Sequence, residues 1–194
     1  MKTSQDIDCI IATDTVLFFD MDGTLVDTDF ANFLSYKKAI DSVTMNGFEL
    51  TYNPNKRFNR SILKNVIPNL SLIDYKRIIQ EKEKFYTDFL NETKLKKEVL
   101  DILNKYSRTN KTVLVTNCRK DRVLLTLYHF KLTEKFSNIF YRQLSENNTR
   151  INKYQEAISS LNILPNSVIV FENEKSEISD AINAGISINN ILII

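Results

Sequence analysis

An apolar run that ends in two carboxylates constrains this chain more than any other stretch. It reads Val16-Leu17-Phe18-Phe19-Asp20-Met21-Asp22-Gly23-Thr24-Leu25. A continuous apolar run rich in β-formers is what a strand needs when both faces of its sheet are covered. Side chains at i and i+2 of a strand share a face. Asp20 and Asp22 are therefore expected to converge just past the strand's carboxyl end, where open parallel sheets bind their ligands. Gly23 permits a turn that a residue with a Cβ would resist.

The rest of the chain supplies the sheet. Apolar strand patterns recur at residues 111–116, 138–141, 167–171 and 188–193. Between them lie helical patterns at 95–106, 119–130, 152–161 and 174–184, the last stopped by Gly185. This alternation predicts an α/β fold, a parallel sheet with helices on both faces. Residues 28–93 differ, with helical periods at 29–43, 56–66 and from Ser71 or Asp74 through Leu90, and no strand signal. Thr28 or Asp29 is the expected cap of the first of these helices. Asn46-Gly47 and Asn53-Pro54-Asn55 are turn chemistry, and Pro68 stops the short helix. The expected division is a core of residues 1–27 and 94–194 and an inserted helical cap of residues 28–93.

A net charge of +2 gives no broad basic field, so nucleic acid is not an expected partner. No apolar run reaches membrane-spanning length, and residues 1–13 lack a signal-peptide core, so a cytoplasmic protein is expected. Cys9 and Cys118 have no metal spacing and read as reduced thiols. His129, the one histidine, sits among apolar residues and reads as structural.

Asp20-x-Asp22-Gly23-Thr24 resembles the opening motif of the haloacid dehalogenase superfamily of phosphatases and phosphotransferases. The resemblance runs through four ordered motifs from residue 15 to 185 and implies a Rossmann-like core. It implies that Asp20 is a nucleophile forming an aspartyl-phosphate and that Asp22 protonates the leaving oxygen, then activates water. It implies that Thr116, with Asn117 and nearby amides, holds phosphoryl oxygens, and that Lys153 neutralises the phosphoryl group. Magnesium is the implied cofactor, on Asp20, the Asp22 carbonyl and acids after the fourth motif strand. There the sequence departs from the family: Glu172 is followed by Asn173, so either Asn173 or Glu177 completes the metal set. The small helical insert resembles the caps of the phosphoglycolate-phosphatase and β-phosphoglucomutase-like subgroup. Lys56, Arg57 and Arg60 lie on or near a short cap helix. They read first as a solvated basic face, and second as a place where one of them, with Arg57 and Arg60 the candidates for substrate binding, meets a second anionic group. Phe30, Phe33, Tyr36 and Phe58 read first as cap core and second as a pocket lining.

The resemblance implies a magnesium-dependent phosphatase acting on a small phosphorylated metabolite. A phosphomutase shares the same intermediate. A binding module that keeps the fold but not the chemistry is the rival of a different class, and Asn173 is its support. Dehalogenation is disfavoured, because that chemistry uses neither the second aspartate nor magnesium.

Overall fold

The computed structural model describes residues 10–44, 48–147 and 149–194. Residues 1–9, including Cys9, and the expected turn at Asn46-Gly47 lie outside the described residues. The chain divides into two compact units, Met1–Val26 with Leu95–Ile194, and Asp27–Lys94.

The first unit is built on a five-stranded, all-parallel sheet. Its strands are β1 (Val16–Phe19), β4 (Thr112–Val115), β5 (Asn138–Phe140), β6 (Val168–Glu172) and β7 (Ile191–Ile193), in the order β5-β4-β1-β6-β7. Every side chain of β1 is buried, as expected of a central strand covered on both faces. Alternation then divides the core. Leu17 and Phe19 pack with Val99 and Leu103 of α4 (Lys97–Tyr106) and with Val123 and Leu127 of α5 (Lys120–His129). Val16 and Phe18 pack with Tyr154 and Ala157 of α6 (Lys153–Leu161) and with Ala181 of α7 (Lys175–Asn183). Burying one such large side chain contributes about 1.5–3 kcal/mol, so β1 is the firmest base the fold offers.

Register positions the functional loops. Phe19 lies opposite Leu114 on one side and Phe171 on the other. Asp20 therefore comes level with Val115 and Glu172 at the carboxyl edge, with Thr116 one residue further on. Gly185 takes a φ of +89° just past α7, the left-handed stop its position predicts.

The second unit is helical: α1 (Asp29–Thr44), α2 (Arg60–Val66), α3 (Leu72–Phe85) and a 3-10 turn over Tyr86–Glu92. Its core holds Phe33, Tyr36, Ile40, Phe58, Leu63 and Ile78, so three of the four aromatics singled out above are packing residues. Phe30 is the exposed one. The short helix begins four residues later than its pattern suggests. Asn59 accepts the amides of Ser61 and Ile62, and that cap sets the start. The long helical pattern through Leu90 breaks after Phe85 into the 3-10 turn, with Phe89 at φ −113°. At the start of α1 the Asp27 carboxylate accepts the Asp29 amide at 3.1 Å. Two strands too short for any period, β2 (Val26–Asp27) and β3 (Lys94–Leu95), pair where the chain passes between the units.

Among the described residues no helix is long and apolar enough to cross a membrane. Cys118 is a free thiol, and His129 is exposed with its ring edge-on to Phe130.

Candidate active site

The centre of the site is one buried ammonium group. Asn152 caps α6 by accepting the amides of Tyr154 and Gln155, and this fixes the first turn that carries Lys153. Lys153 Nζ lies 2.7 Å from Asp20 Oδ1, 3.0 Å from Glu172 Oε2 and 2.8 Å from Glu177 Oε2. An ammonium has three protons, and all three have a carboxylate here. All four side chains are buried. Burial alone would lower the Lys153 pKa, but the surrounding negative charge, Asp20 foremost, holds it well above the usual lysine value. Burial pushes the Asp20 carboxyl up to about 8 against the pull of the Lys153 ammonium, and the charges of Glu172 and Asp22 add to the rise.

Glu172, at the end of β6, is fully buried and fully engaged. One oxygen accepts the amides of Asn173 (2.9 Å) and Glu174 (3.1 Å), and the other accepts Lys153 and the Tyr154 hydroxyl (2.6 Å). Glu177, in the first turn of α7, accepts Asn117 Nδ2 on both oxygens, at 2.8 and 2.6 Å, and Arg150 at 2.8 Å. Burial would raise its pKa, but Lys153, Asn117 and Arg150 together bring it below the usual glutamate value.

Asp22 has different partners. Strand β1 ends at Phe19, and the chain turns at once, with Met21 O accepting the amides of Leu25 and Val26. The strand ends before either acid, so the turn rather than strand alternation brings Asp22 near Asp20, whose carboxyl its charge helps to raise. Asp22 Oδ1 accepts Arg122 at 2.8 Å and its Oδ2 accepts the Cys118 thiol. Burial, with the Asp22 charge, pushes that thiol up to about 12, so it stays a proton donor. Thr116 Oγ1, buried at the end of β4, accepts the Cys118 amide at 3.2 Å and keeps its own proton to offer.

Gly23 and Asn173 interlock. Gly23 has φ +83°, and a Cβ there would lie 2.5 Å from Asn173 Nδ2. Asn173 Oδ1 accepts the Thr24 hydroxyl at 3.0 Å. Gly23→Ala should therefore destabilise the fold by about 1–3 kcal/mol, the cost of a side chain in the left-handed region, read as a lower urea midpoint with an unchanged slope.

The description "Haloacid dehalogenase-like hydrolase" belongs to the family model that matches residues 17–191. The chain belongs to that family. Among curated relatives, this haloacid dehalogenase-like hydrolase is 28% identical over 180 residues to a phosphorylated carbohydrates phosphatase from Thermotoga maritima, covering 88% of this chain and 81% of that one. Among solved structures it resembles one assigned as a β-phosphoglucomutase from Thermotoga maritima, with TM-score 0.66 and 26% identity over 91% of this chain and 83% of that one. A haloacid dehalogenase-like protein from Streptococcus pneumoniae gives TM-score 0.74 at 17% identity, over 94% and 85% of the two chains. A predicted phosphoglycolate phosphatase from Haemophilus somnus gives the same score and identity over 94% and 86%. The parallel sheet and its helices are thus the Rossmann-like fold that the opening motif implies.

Of the residues the sequence singles out, the structure gathers Asp20, Asn117, Lys153, Glu172 and Glu177 into one hydrogen-bonded cluster. Asn173 is exposed at the Gly23–Thr24 turn. Arg57 and Arg60 belong to the helical unit. Arg57 pairs with Asp29 and donates to Thr28 at 3.2 Å, while Arg60 is exposed. Four contributors escape sequence reasoning: Arg122 and Cys118 on Asp22, Tyr154 on Glu172 and Arg150 on Glu177. Tyr154 reads as one more apolar position of its helix, and the others have no spacing that ties them to their partners.

Magnesium can be tested against this donor set. Among the described residues no three histidine, cysteine or acidic side chains are arranged to hold a metal ion. Magnesium asks for less: one or two carboxylates, several waters and the oxygens of a bound phosphate. Asp20 and the uncharged Asn173 amide oxygen fit that low-charge form, whereas the oxygens of Glu172 and Glu177 already accept several donors.

Proposed function

We propose that the protein is a magnesium-dependent phosphatase that hydrolyses a small phosphate monoester through an aspartyl-phosphate on Asp20. One observation carries the reading: a buried carboxylate at the tip of the central strand touches a buried lysine 2.7 Å away. An Asp20 oxygen attacks phosphorus, the bond to the leaving oxygen breaks, and Asp22 gives that oxygen a proton. Asp22 then takes a proton from water, the hydroxide attacks the same phosphorus, and Asp20 is released with inorganic phosphate. Arg122 and Cys118 orient Asp22 through its two oxygens. Thr116, Asn117 and Lys153 are the donors for the phosphoryl oxygens. Asp20, the Asp22 carbonyl and Asn173 would hold magnesium, with Glu172 steadying the loop through the Asn173 and Glu174 amides. A bound magnesium ion supplies positive charge that offsets the phosphoryl oxygens and favours the ionised nucleophile.

The substrate class this reading favours is a phosphorylated carbohydrate, on the strength of the curated relative. The helical unit acts as the cap. Arg57 is neutralised by Asp29, so Arg60 is the cap arginine with charge to offer a second anionic group. The relative assigned as a β-phosphoglucomutase supports a second reading, in which a bound sugar phosphate rather than water accepts the phosphoryl group.

The test is phosphate release from an aryl phosphate, with and without added magnesium, against Asp20→Asn. Wild-type release no faster than that variant would leave only the binding-module reading. Transfer to a sugar phosphate in place of release would select the mutase. Asn173→Asp adds the missing carboxylate where Thr24 can still donate to it. It should lower the magnesium concentration for half-maximal activity about tenfold, as ligand charge count predicts, measured by metal titration.

A further inference from the structure

The three protons of Lys153 are spent on three carboxylates, so a phosphoryl oxygen can reach this ammonium only if one of them leaves. Asp20 cannot leave if it is the nucleophile. Glu172 is pinned by two backbone amides and the Tyr154 hydroxyl, and none of its surface is exposed. Among the described residues the Glu177 carboxylate is held only by side chains: Lys153, Asn117 and Arg150. Arg150 is the outermost of these, with 41% of its side chain exposed and a second bond to Asp180 at the surface.

We propose that Glu177 is an internal stand-in for the phosphoryl group: its carboxylate occupies the Lys153 and Asn117 donors, and an incoming phosphate displaces it toward Arg150. The inference rests on the phosphatase reading for the part those two donors play. The chemistry of the two anions is alike. Each presents a pair of oxygens to charge-assisted donors, and the Asn117 amide already spans both oxygens of Glu177 as it would span two of a phosphate. The closed arrangement is also imperfect. Asn117 Oδ1 is buried without a hydrogen-bond partner among the described residues, a cost that exchange with an anion and its waters can relieve. The consequence is a tax on affinity. Molecules with the carboxylate in place do not bind, and apparent affinity falls by the fraction that is open. The same contacts give Glu177 a part different from the metal ligand its position in sequence suggests.

The test is calorimetric titration of inorganic phosphate into the magnesium-free protein at low salt. Glu177→Ala should bind phosphate about tenfold more tightly than wild type, as an open fraction of about one tenth implies. Glu177→Gln, which keeps the shape and removes the charge, should show a smaller gain. If the alanine variant does not fold, the glutamine variant decides. Phosphate affinity unchanged or weaker in the folded variants would overturn the proposal. A raised magnesium requirement for aryl-phosphate hydrolysis, without tighter phosphate, would also overturn it and return Glu177 to the metal. Failure of the phosphatase reading shows elsewhere, as hydrolysis that does not depend on Asp20, and leaves the phosphate titration to be read on its own.

Discussion

Asp20→Asn should reduce phosphate release by roughly a thousandfold or more, because an amide oxygen is a poor nucleophile and its phosphoryl adduct has no easy path forward. The loss should appear in kcat and kcat/KM alike, since the group acts on the reacting atom. It should come without loss of fold. Asparagine matches aspartate in shape, its oxygen can still accept Lys153, and Asp20 is 6% exposed in a site its neighbours already define. The stability profile gives a second readout. The Asp20 carboxyl is raised to about 8, mainly by burial. A carboxyl raised on folding supports stability fully below its unfolded value, near 4, and loses that support as pH rises toward 8. Asp20→Asn should therefore flatten the fall in melting temperature between pH 5 and pH 8. Circular dichroism melts at the two values, beside the phosphate assay, check both parts. Retained hydrolysis would remove the nucleophile from the proposal. A wild-type pH slope in the variant would remove Asp20 as the acid that burial disfavours.

The sheet was legible because its strands carry continuous apolar runs, and a run such as Val16–Phe19 has few ways to be buried on both faces. Register could not be read in this way, yet it is register that brings Asp20 level with Glu172 and one residue short of Thr116. Lys153 and Glu172 were reachable through the order of the family's motifs, with no local signal of their own. Pairings fixed only by folded geometry were not reachable. Arg122 meets Asp22 across 100 residues of sequence, and Arg150 meets Glu177 across 27. A turn that begins at Met21, rather than strand alternation, carries Asp22 to its own partners while its charge stays near Asp20. The late start of α2 has the same origin: the Asn59 cap, a side-chain choice, overrides a pattern that fits one turn earlier.

Lys153→Met should have the largest effect on stability of any single change. The methionine fills most of the lysine's volume but leaves Asp20, Glu172 and Glu177 facing one another with no ammonium between them. Removing one partner of a buried ion pair costs about 3–5 kcal/mol, and here one cation serves three anions. At pH 8 the variant should therefore unfold at a much lower urea concentration than wild type. The deficit should shrink as pH falls toward 5, because the Asp20 carboxyl, raised by burial and deprived of the ammonium that lowers it, regains stability by binding a proton that the unfolded chain binds less readily. A merely steric defect would cost the same at both values. Arg150 cannot substitute, since its reach is to Glu177 and Asp180 at the rim and not to Asp20 or Glu172. Equal stability of the two proteins at pH 8 would mean that the three acids do not depend on the lysine. The shared ammonium, on which both the phosphate-binding role of Lys153 and the displacement of Glu177 are built, would then have to be abandoned.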